Sequence, residues 1–271
     1  MVRDRLPSRP RHGSTATQAA IQGLAQVTSN PLGSPKLHQF MACRSPLAFW
    51  VTYHVNNPVG AVLAWVCFRA HLTPNAVSWI SLIATLSGPL LLCFWRPTSL
   101  IQEALILVGC LQLGYTLDGA DGMLARVAKQ GSRFGQLLDK LIDSIVMLSL
   151  PPLLYLAAGG RQPVEPFGDD GVVVITFLAV LSRGLLATLL WLKEYVERGA
   201  DRTVTDTRKR NLVFYLRRGV GQTTDTSSFY LLLGLAWAIG LFWWLMALYS
   251  LWIFVVWCGY LALTYRDLSR N

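Results

Sequence analysis

The segment LDGADGMLARVAKQGSRFGQLLDKLIDS, Leu117 to Ser144, sets four aspartates, Asp118, Asp121, Asp139 and Asp143, between two long apolar runs. A charged side chain near a bilayer centre costs roughly 2.5–3.5 kcal/mol, and four carboxylates in one place also repel one another. Something positive has to hold them, and this is where the chain does its chemistry. Asp118 and Asp121 are spaced i, i+3, and Asp139 and Asp143 i, i+4. On helices each pair shares a face, its side chains about 5–6 Å apart. The first pair closes one apolar run and the second opens the next. The short loop between them makes the two helices expected antiparallel neighbours, with the four carboxylates converging near the membrane boundary. Oxygen-only ligands favour a hard cation such as Mg²⁺ or Mn²⁺. Two ions about 3.5–4 Å apart, bridged by shared carboxylates, would neutralise the four charges best.

Outward from this segment, the 271-residue chain is 53% hydrophobic and 14% charged, with mean hydropathy +0.41, a balance that suits a polytopic membrane protein. Apolar runs of near membrane length predict an all-α membrane protein with six spans. They run near Val77–Phe94, Ile101–Leu117, Gln136–Ala158, Val172–Leu192, Ser227–Ile239 and Phe242–Tyr265. Gly240 alone separates the last two, the fifth is short, and five spans is the nearest alternative. Basic residues crowd the N-terminal region, the aspartate loop (Arg126, Lys129, Arg133) and the Lys193–Asp225 connection. Positive-inside logic therefore puts both termini and the aspartates in the cytosol. The net charge of +9 is then topology and contact with anionic lipid. No soluble basic face for nucleic acid is visible.

Residues 1–45 are polar, lack an apolar signal-peptide core and read as a disordered tail. In 46–71, Trp50, Val59, Val62 and Val66 interleave with His54, Asn56, Asn57 and Arg69. This stretch reads as interfacial amphipathic segments, with a break expected at Asn57-Pro58. The membrane domain follows over 72–271. The five cysteines lack CxxC spacing and the four histidines form no ligand-spaced pair, so neither a disulfide framework nor a zinc site is indicated. The Lys193–Asp225 connection reads as a solvated basic surface on anionic lipid, with a substrate lid as the alternative.

Beside the aspartates, Gly122 and Ala125 leave a hollow, Gly135 thins the start of the third span, and Arg126, one turn from Gly122, can fork onto a phosphate. Together these suggest a pyrophosphate with a nucleotide laid against bare backbone. Each has a plain alternative: a solvated acidic face, a glycine for helix packing, an arginine anchoring the boundary. A solvated face, however, would not be flanked by apolar spans on both sides.

The spacing D-x2-D-G-x2-A-R-x8-G-x3-D-x3-D, carried by Asp118, Asp121, Gly122, Ala125, Arg126, Gly135, Asp139 and Asp143, resembles the signature of the CDP-alcohol phosphotransferase (CDP-alcohol phosphatidyltransferase) family. A chance match to eight fixed residues is on the order of 10⁻⁹ per start position. Upstream, LTPNAVS (Leu72 to Ser78) is similar to the family's TPNxxT, with Ser78 keeping the hydroxyl. The resemblance implies a six-helix fold, commonly a homodimer, with a dinuclear site open to the cytosol. It assigns Asp118, Asp121 and Asp139 to one ion and Asp118, Asp139 and Asp143 to the other, with Asp143 also the general base. Asn75, Ser78, Gly122, Ala125, Arg126, Ser132 and Gly135 would bind the CDP moiety. The implied reaction, in phospholipid biosynthesis, is attack of an acceptor hydroxyl on the β-phosphorus of a CDP-alcohol with release of CMP, and a bacterial inner membrane is the expected location.

Two substrate arrangements fit: CDP-diacylglycerol with a small polar acceptor, or a polar CDP-alcohol with a lipid or polyol acceptor. Arg183, mid-span, favours the first. With Lys129, Arg133 and Arg217 or Arg218 it would hold a phosphorylated alcohol; alternatively it pairs with a site aspartate or snorkels. A divalent-cation transporter would explain intramembrane aspartates, but not Gly122, Ala125, Arg126 and Gly135 at fixed offsets. A scaffold that had lost its chemistry would not need all eight residues.

Overall fold

A computed structural model describes residues 35–43, 50–95, 97–199 and 225–268, which are helical with no strand among them. The helices are α1 (Leu37–Ala42), α2 (Asn57–Arg69), α3 (Pro74–Phe94), α4 (Leu100–Val127), α5 (Arg133–Ala158), α6 (Gly168–Gly199), α7 (Thr226–Ala238) and α8 (Phe242–Leu268). Sequence punctuation sets the boundaries. Thr73 caps α3 by accepting from Ala76 N–H at 3.3 Å, Ser99 caps α4 through Gln102 N–H at 3.3 Å, and Ser132 caps α5 through Gly135 N–H at 2.9 Å. Asp225 caps α7 through Ser228 N–H at 3.1 Å. Each satisfies a backbone donor that the first helical turn leaves free. At the far end of α7, Gly240 takes φ +75° while Leu241 N–H reaches Ala236 O at 2.8 Å, a left-handed stop that glycine adopts without strain. That turn folds α8 back and explains why one glycine parts two apolar runs.

Among the described residues, five helices, α3, α4, α5, α6 (over Gly168–Leu189) and α8, are long and apolar enough to cross a membrane, so the chain is an all-helical, multi-pass membrane protein. The sixth expected span, α7, has 13 described residues, about 20 Å at 1.5 Å per residue against a hydrocarbon core of about 30 Å. A six-span count thus goes beyond these lengths. Several expected boundaries shift. Asp118 and Asp121 lie inside α4, which runs on to Val127 rather than ending beside them. Helix α6 continues through Gly199, so the expected basic connection begins within a helix; residues 200–224, with Arg217 and Arg218, lie outside the described residues. Of the expected tail, residues 1–34 and 44–45 also lie outside them, whereas Leu37–Ala42 form a helix whose Phe40 is completely buried. One aromatic anchor in a polar region is below what composition can register.

The break expected at Asn57-Pro58 does not occur. Residues 50–69 are helical throughout because Thr52–Asn56 wind as a π-turn, with Asn57 N–H bonded to Thr52 O. The wider turn tolerates the proline's missing donor and its ring at the start of α2. Val55, Val59, Val62 and Val66 stay exposed on one side of this helix. On the other side Ala61 and Ala64 are fully buried in a cluster with Phe40, Leu117, Ala120 and Leu124.

Six helices close a ring in the order α3, α4, α7, α8, α6, α5 and back to α3, and α2 packs on the outside of α4. The two aspartate-bearing helices, α4 and α5, make almost no direct contact among the described residues, each packing instead on α3. This corrects the expectation of packed neighbours: a short loop fixes only where two helices meet, not whether they lie together. Thr85 and Gly114 show how closely α3 and α4 approach, since a Cβ on Gly114 would fall 2.0 Å from Thr85 Oγ1.

Candidate active site

The ring leaves a central cavity of about 280 Å³ to which all six helices contribute. Helix α4 gives Tyr115 and Asp118, α5 gives Asp143, α6 gives Arg183, α7 gives Tyr230 and α8 gives Tyr249. Beside it, between the start of α3, the end of α4 and the start of α5, lies a larger cavity of about 480 Å³. All seven residues expected to bind the CDP moiety, Asn75, Ser78, Gly122, Ala125, Arg126, Ser132 and Gly135, line the larger cavity together with Asp118, Asp121 and Asp139. Asp118 lines both spaces, whereas Asp143 faces only the central one.

Each side chain is positioned by its helix. Asp121 is buried and accepts a short hydrogen bond from the Ser78 hydroxyl, tying α3 to α4. Asp139 and Asp143, half-buried on α5, flank Lys140, whose Nζ lies 3.7 Å from the first and 3.9 Å from the second. Arg126 is exposed at the cavity rim, folded over Gly122, and its Nη2 reaches the Cys43 carbonyl at 3.4 Å. A methyl group on Gly122 would stand 3.2 Å from that guanidinium. Nothing fills the space where a Cβ would sit on Gly119. Ser132 both caps α5 and lines the cavity, so its hydroxyl already has a structural task.

The donor set suits a hard divalent cation: four carboxylates from α4 and α5, with Asp118 within electrostatic reach of Asp121, Asp139 and Asp143. As placed, they do not form a closed coordination shell. Among the described residues no three His, Cys, Asp or Glu side chains come together closely enough to hold an ion. The separation of α4 from α5 accounts for this, since the acidic pairs face each other across a gap.

Arg183 stands apart from the other residues expected to hold the acceptor. Its guanidinium donates to Tyr249 Oη at 3.1 Å and lies over the Phe229 ring at 4.8 Å. It has no carboxylate within ion-pair distance among the described residues, so the expected alternative of pairing with a site aspartate does not hold. Lys129 and Arg133 do not line its cavity. Lys129 instead occupies the left-handed stop of α4, φ +54°, and Arg133 is the first residue of α5. A count of basic residues in the sequence cannot distinguish a cation at the loop surface from one inside the ring.

Sequence reasoning overlooked Lys140, Tyr115, Tyr230, Tyr249 and Asn57. Lys140 had a signal, being i+1 from Asp139 and i−3 from Asp143, as had Tyr115, one helical turn before Asp118. The other tyrosines come from helices distant in sequence and had none.

The sequence profile of the CDP-alcohol phosphatidyltransferase family matches residues 71–257, most of the chain and all four aspartates. The chain belongs to this family. As a CDP-alcohol phosphatidyltransferase it is a phosphotransferase for substituted phosphate groups, acting in phospholipid biosynthesis. The enzyme class displaces the transporter and scaffold readings. Among solved structures, Mycobacterium tuberculosis phosphatidylinositol phosphate synthase (PgsA1) with CDP-DAG bound is similar at a TM-score of 0.50 and 17% identity, over 75% of this chain and 92% of that one. The likeness is one of fold. The same synthase in complex with manganese and citrate gives a TM-score of 0.44 at 19% identity, over 74% and 88% of the two chains. No curated protein matches the chain significantly.

Proposed function

We propose that this CDP-alcohol phosphatidyltransferase moves a phosphatidyl group from CDP-diacylglycerol to the hydroxyl of a small anionic alcohol, releasing CMP. The observation that carries the reading is the junction at Asp118. On one side is a cavity with bare backbone at Gly119 and the Arg126 guanidinium folded over Gly122 at its rim; on the other is the central cavity, lined by Asp143 and Arg183. A bisubstrate transfer needs two compartments meeting at one point, and this arrangement provides them. CDP-diacylglycerol is also the ligand bound by the mycobacterial synthase that shares the fold.

In this reading the nucleotide end of the donor lies in the larger cavity, against Gly122 and Ala125, with Asn75, Ser78, Ser132 and Gly135 around it. Arg126 forks onto the diphosphate. Arg183, without a carboxylate partner, holds the anionic group of the acceptor, and its aromatic neighbours exclude water. Asp143 takes the proton of the acceptor hydroxyl as that oxygen bonds to the β-phosphorus. The bond from that phosphorus to the CMP oxygen breaks, and CMP leaves with the electron pair. Asp118, Asp121 and Asp139 would hold one Mg²⁺ or Mn²⁺, and Asp118, Asp139 and Asp143 a second; such ions stabilise charge on the diphosphate and the leaving group.

The basic residues near this end, Arg126, Lys129 and Arg133, support a cytosolic opening, and the exposed valines of α2 support an interfacial position for that helix. We place the enzyme in a bacterial inner membrane as a six-span homodimer. The test is product identity. The purified protein in mixed micelles with Mg²⁺ is given CDP-diacylglycerol and a panel of free and phosphorylated alcohols, and the lipid products are weighed by mass spectrometry. A phosphatidyl product with a phosphorylated headgroup is expected. Turnover only with a polar CDP-alcohol and a lipid acceptor would overturn the donor assignment.

A further inference from the structure

Asn56 and Asn57 are adjacent in sequence and both buried, yet their side chains are treated in opposite ways. The Asn56 amide donates to Gln112 Oε1 at 2.9 Å and to Thr116 Oγ1 at 2.9 Å, and its carbonyl accepts from Ser227 Oγ at 2.7 Å. It fastens the π-turn to α4 and α7. Asn57 is 8% exposed, and its Nδ2 has no hydrogen-bond partner among the described residues. A buried amide donor left unpaired costs free energy, and native structures rarely keep one without a use. Asn57 closes the π-turn that carries the chain past Pro58, and such turns recur at functional sites.

Asn57 borders ligand space as a residue, although its Nδ2 is itself covered. It lines the larger cavity, and with Tyr115 and Thr116 it lines a side chamber of about 80 Å³; Asp118 and Gly119 border both. The space over Gly119 is open, so a ligand can approach the α4 backbone beside the amide. This is the end of the donor cavity nearest Asp118, where the two compartments meet. The remainder of the cavity extends away toward Gln130 and Gln136.

We propose that Asn57 is a donor-binding residue whose side-chain amide donates to a β-phosphate oxygen of the CDP-alcohol at the end of the cavity beside Asp118. This rests on the larger cavity being the CDP site. An amide is the suitable donor there, because it adds a hydrogen bond without a charge that the neighbouring carboxylates would capture.

The experiment is calorimetric titration of the full-length protein in micelles with CDP and with CMP, Mg²⁺ present, for wild type, Asn57→Ala and Asn57→Asp, together with melting of each ligand-free protein. CDP affinity is expected to fall about tenfold or more in Asn57→Ala, as for loss of a hydrogen bond to a charged group, with CMP affinity much less affected. Ligand-free melting should be unchanged or higher, since no protein bond is lost. The isosteric Asn57→Asp, which keeps the shape and places a carboxylate against the diphosphate, should weaken CDP more than the alanine does, and it decides the matter should the alanine variant fail to fold. Unchanged CDP affinity in the variants, or equal loss for CDP and CMP, overturns the assignment while leaving the donor cavity standing. A wild-type protein that binds no CDP overturns the cavity reading, and this inference with it.

Discussion

At the scale of single residues, the site divides its cations by task. Lys140 lies between two carboxylates, Arg126 is held at the rim by Cys43 and folded over Gly122, and Arg183 sits inside the ring against Tyr249 and Phe229. If Arg126 forks onto the donor diphosphate, Arg126→Ala should raise KM for the CDP donor by about 10–100-fold and leave acceptor KM nearly unchanged; steady-state kinetics with each substrate varied in turn checks this. Arg183→Leu is expected to do the reverse, raising acceptor KM while the donor's stays near wild type. A loss of protein yield alone would make Arg183 a packing residue. The eight spaced motif residues were fully legible in the sequence because spacing along a helix survives into three dimensions. Arg183 was legible as an anomaly, a charge in an apolar run, but its tyrosine partners were not, because they arrive from α7 and α8. The grouping of Arg183 with Lys129 and Arg133 failed for the same reason.

At the scale of helices, α3 is the element that builds the site, and beyond Asn75 and Ser78 little in its sequence announces this. Both aspartate helices pack on it, and it holds Asp121 through Ser78. Its contact with α4 is close enough that Gly114→Ala should destabilise the protein by about 1–3 kcal/mol through overpacking against Thr85, read as a lower melting temperature in micelles with KM values of the surviving fraction unchanged. The opposite end of the ring is fixed differently. Arg161 Nη1 and Glu103 Oε1 are 2.8 Å apart, both nearly buried, and Trp237 Nε1 donates to the other Glu103 oxygen at 2.9 Å. Removing one partner strands a buried charge, so Arg161→Ala is expected to cost about 3–5 kcal/mol, seen in thermal melts. Glu103 lies 15 residues, about 22 Å of helix, from Asp118, so the remaining folded enzyme should keep its KM values. Glu165, Asp169 and Asp170 all lie nearer Arg161 in the chain than Glu103 does, so sequence proximity does not point to this pair. Helix positions were legible from apolar length, while ends slipped where polar residues such as Asp118 continue a helix past its apolar run.

At the scale of the molecule, the two cavities and the ring that encloses them follow from keeping α4 and α5 apart, an arrangement no local pattern encodes. Composition and charge sufficed for an all-helical membrane protein, and the motif for the family. The closed ring, the shared wall at Asp118 and the helical anchor at Phe40 required the contacts themselves. The account requires that an acid facing the central cavity serve the acceptor while the donor remains bound next door. The most direct test is acceptor-dependent CMP release by wild type and Asp143→Asn in micelles with CDP-diacylglycerol and Mg²⁺, alongside CDP titration of both. The account predicts that the variant binds CDP within a few-fold of wild type but releases CMP about 10²–10⁴-fold more slowly, the usual contribution of a positioned general base. Wild-type rates of CMP release from Asp143→Asn would contradict it.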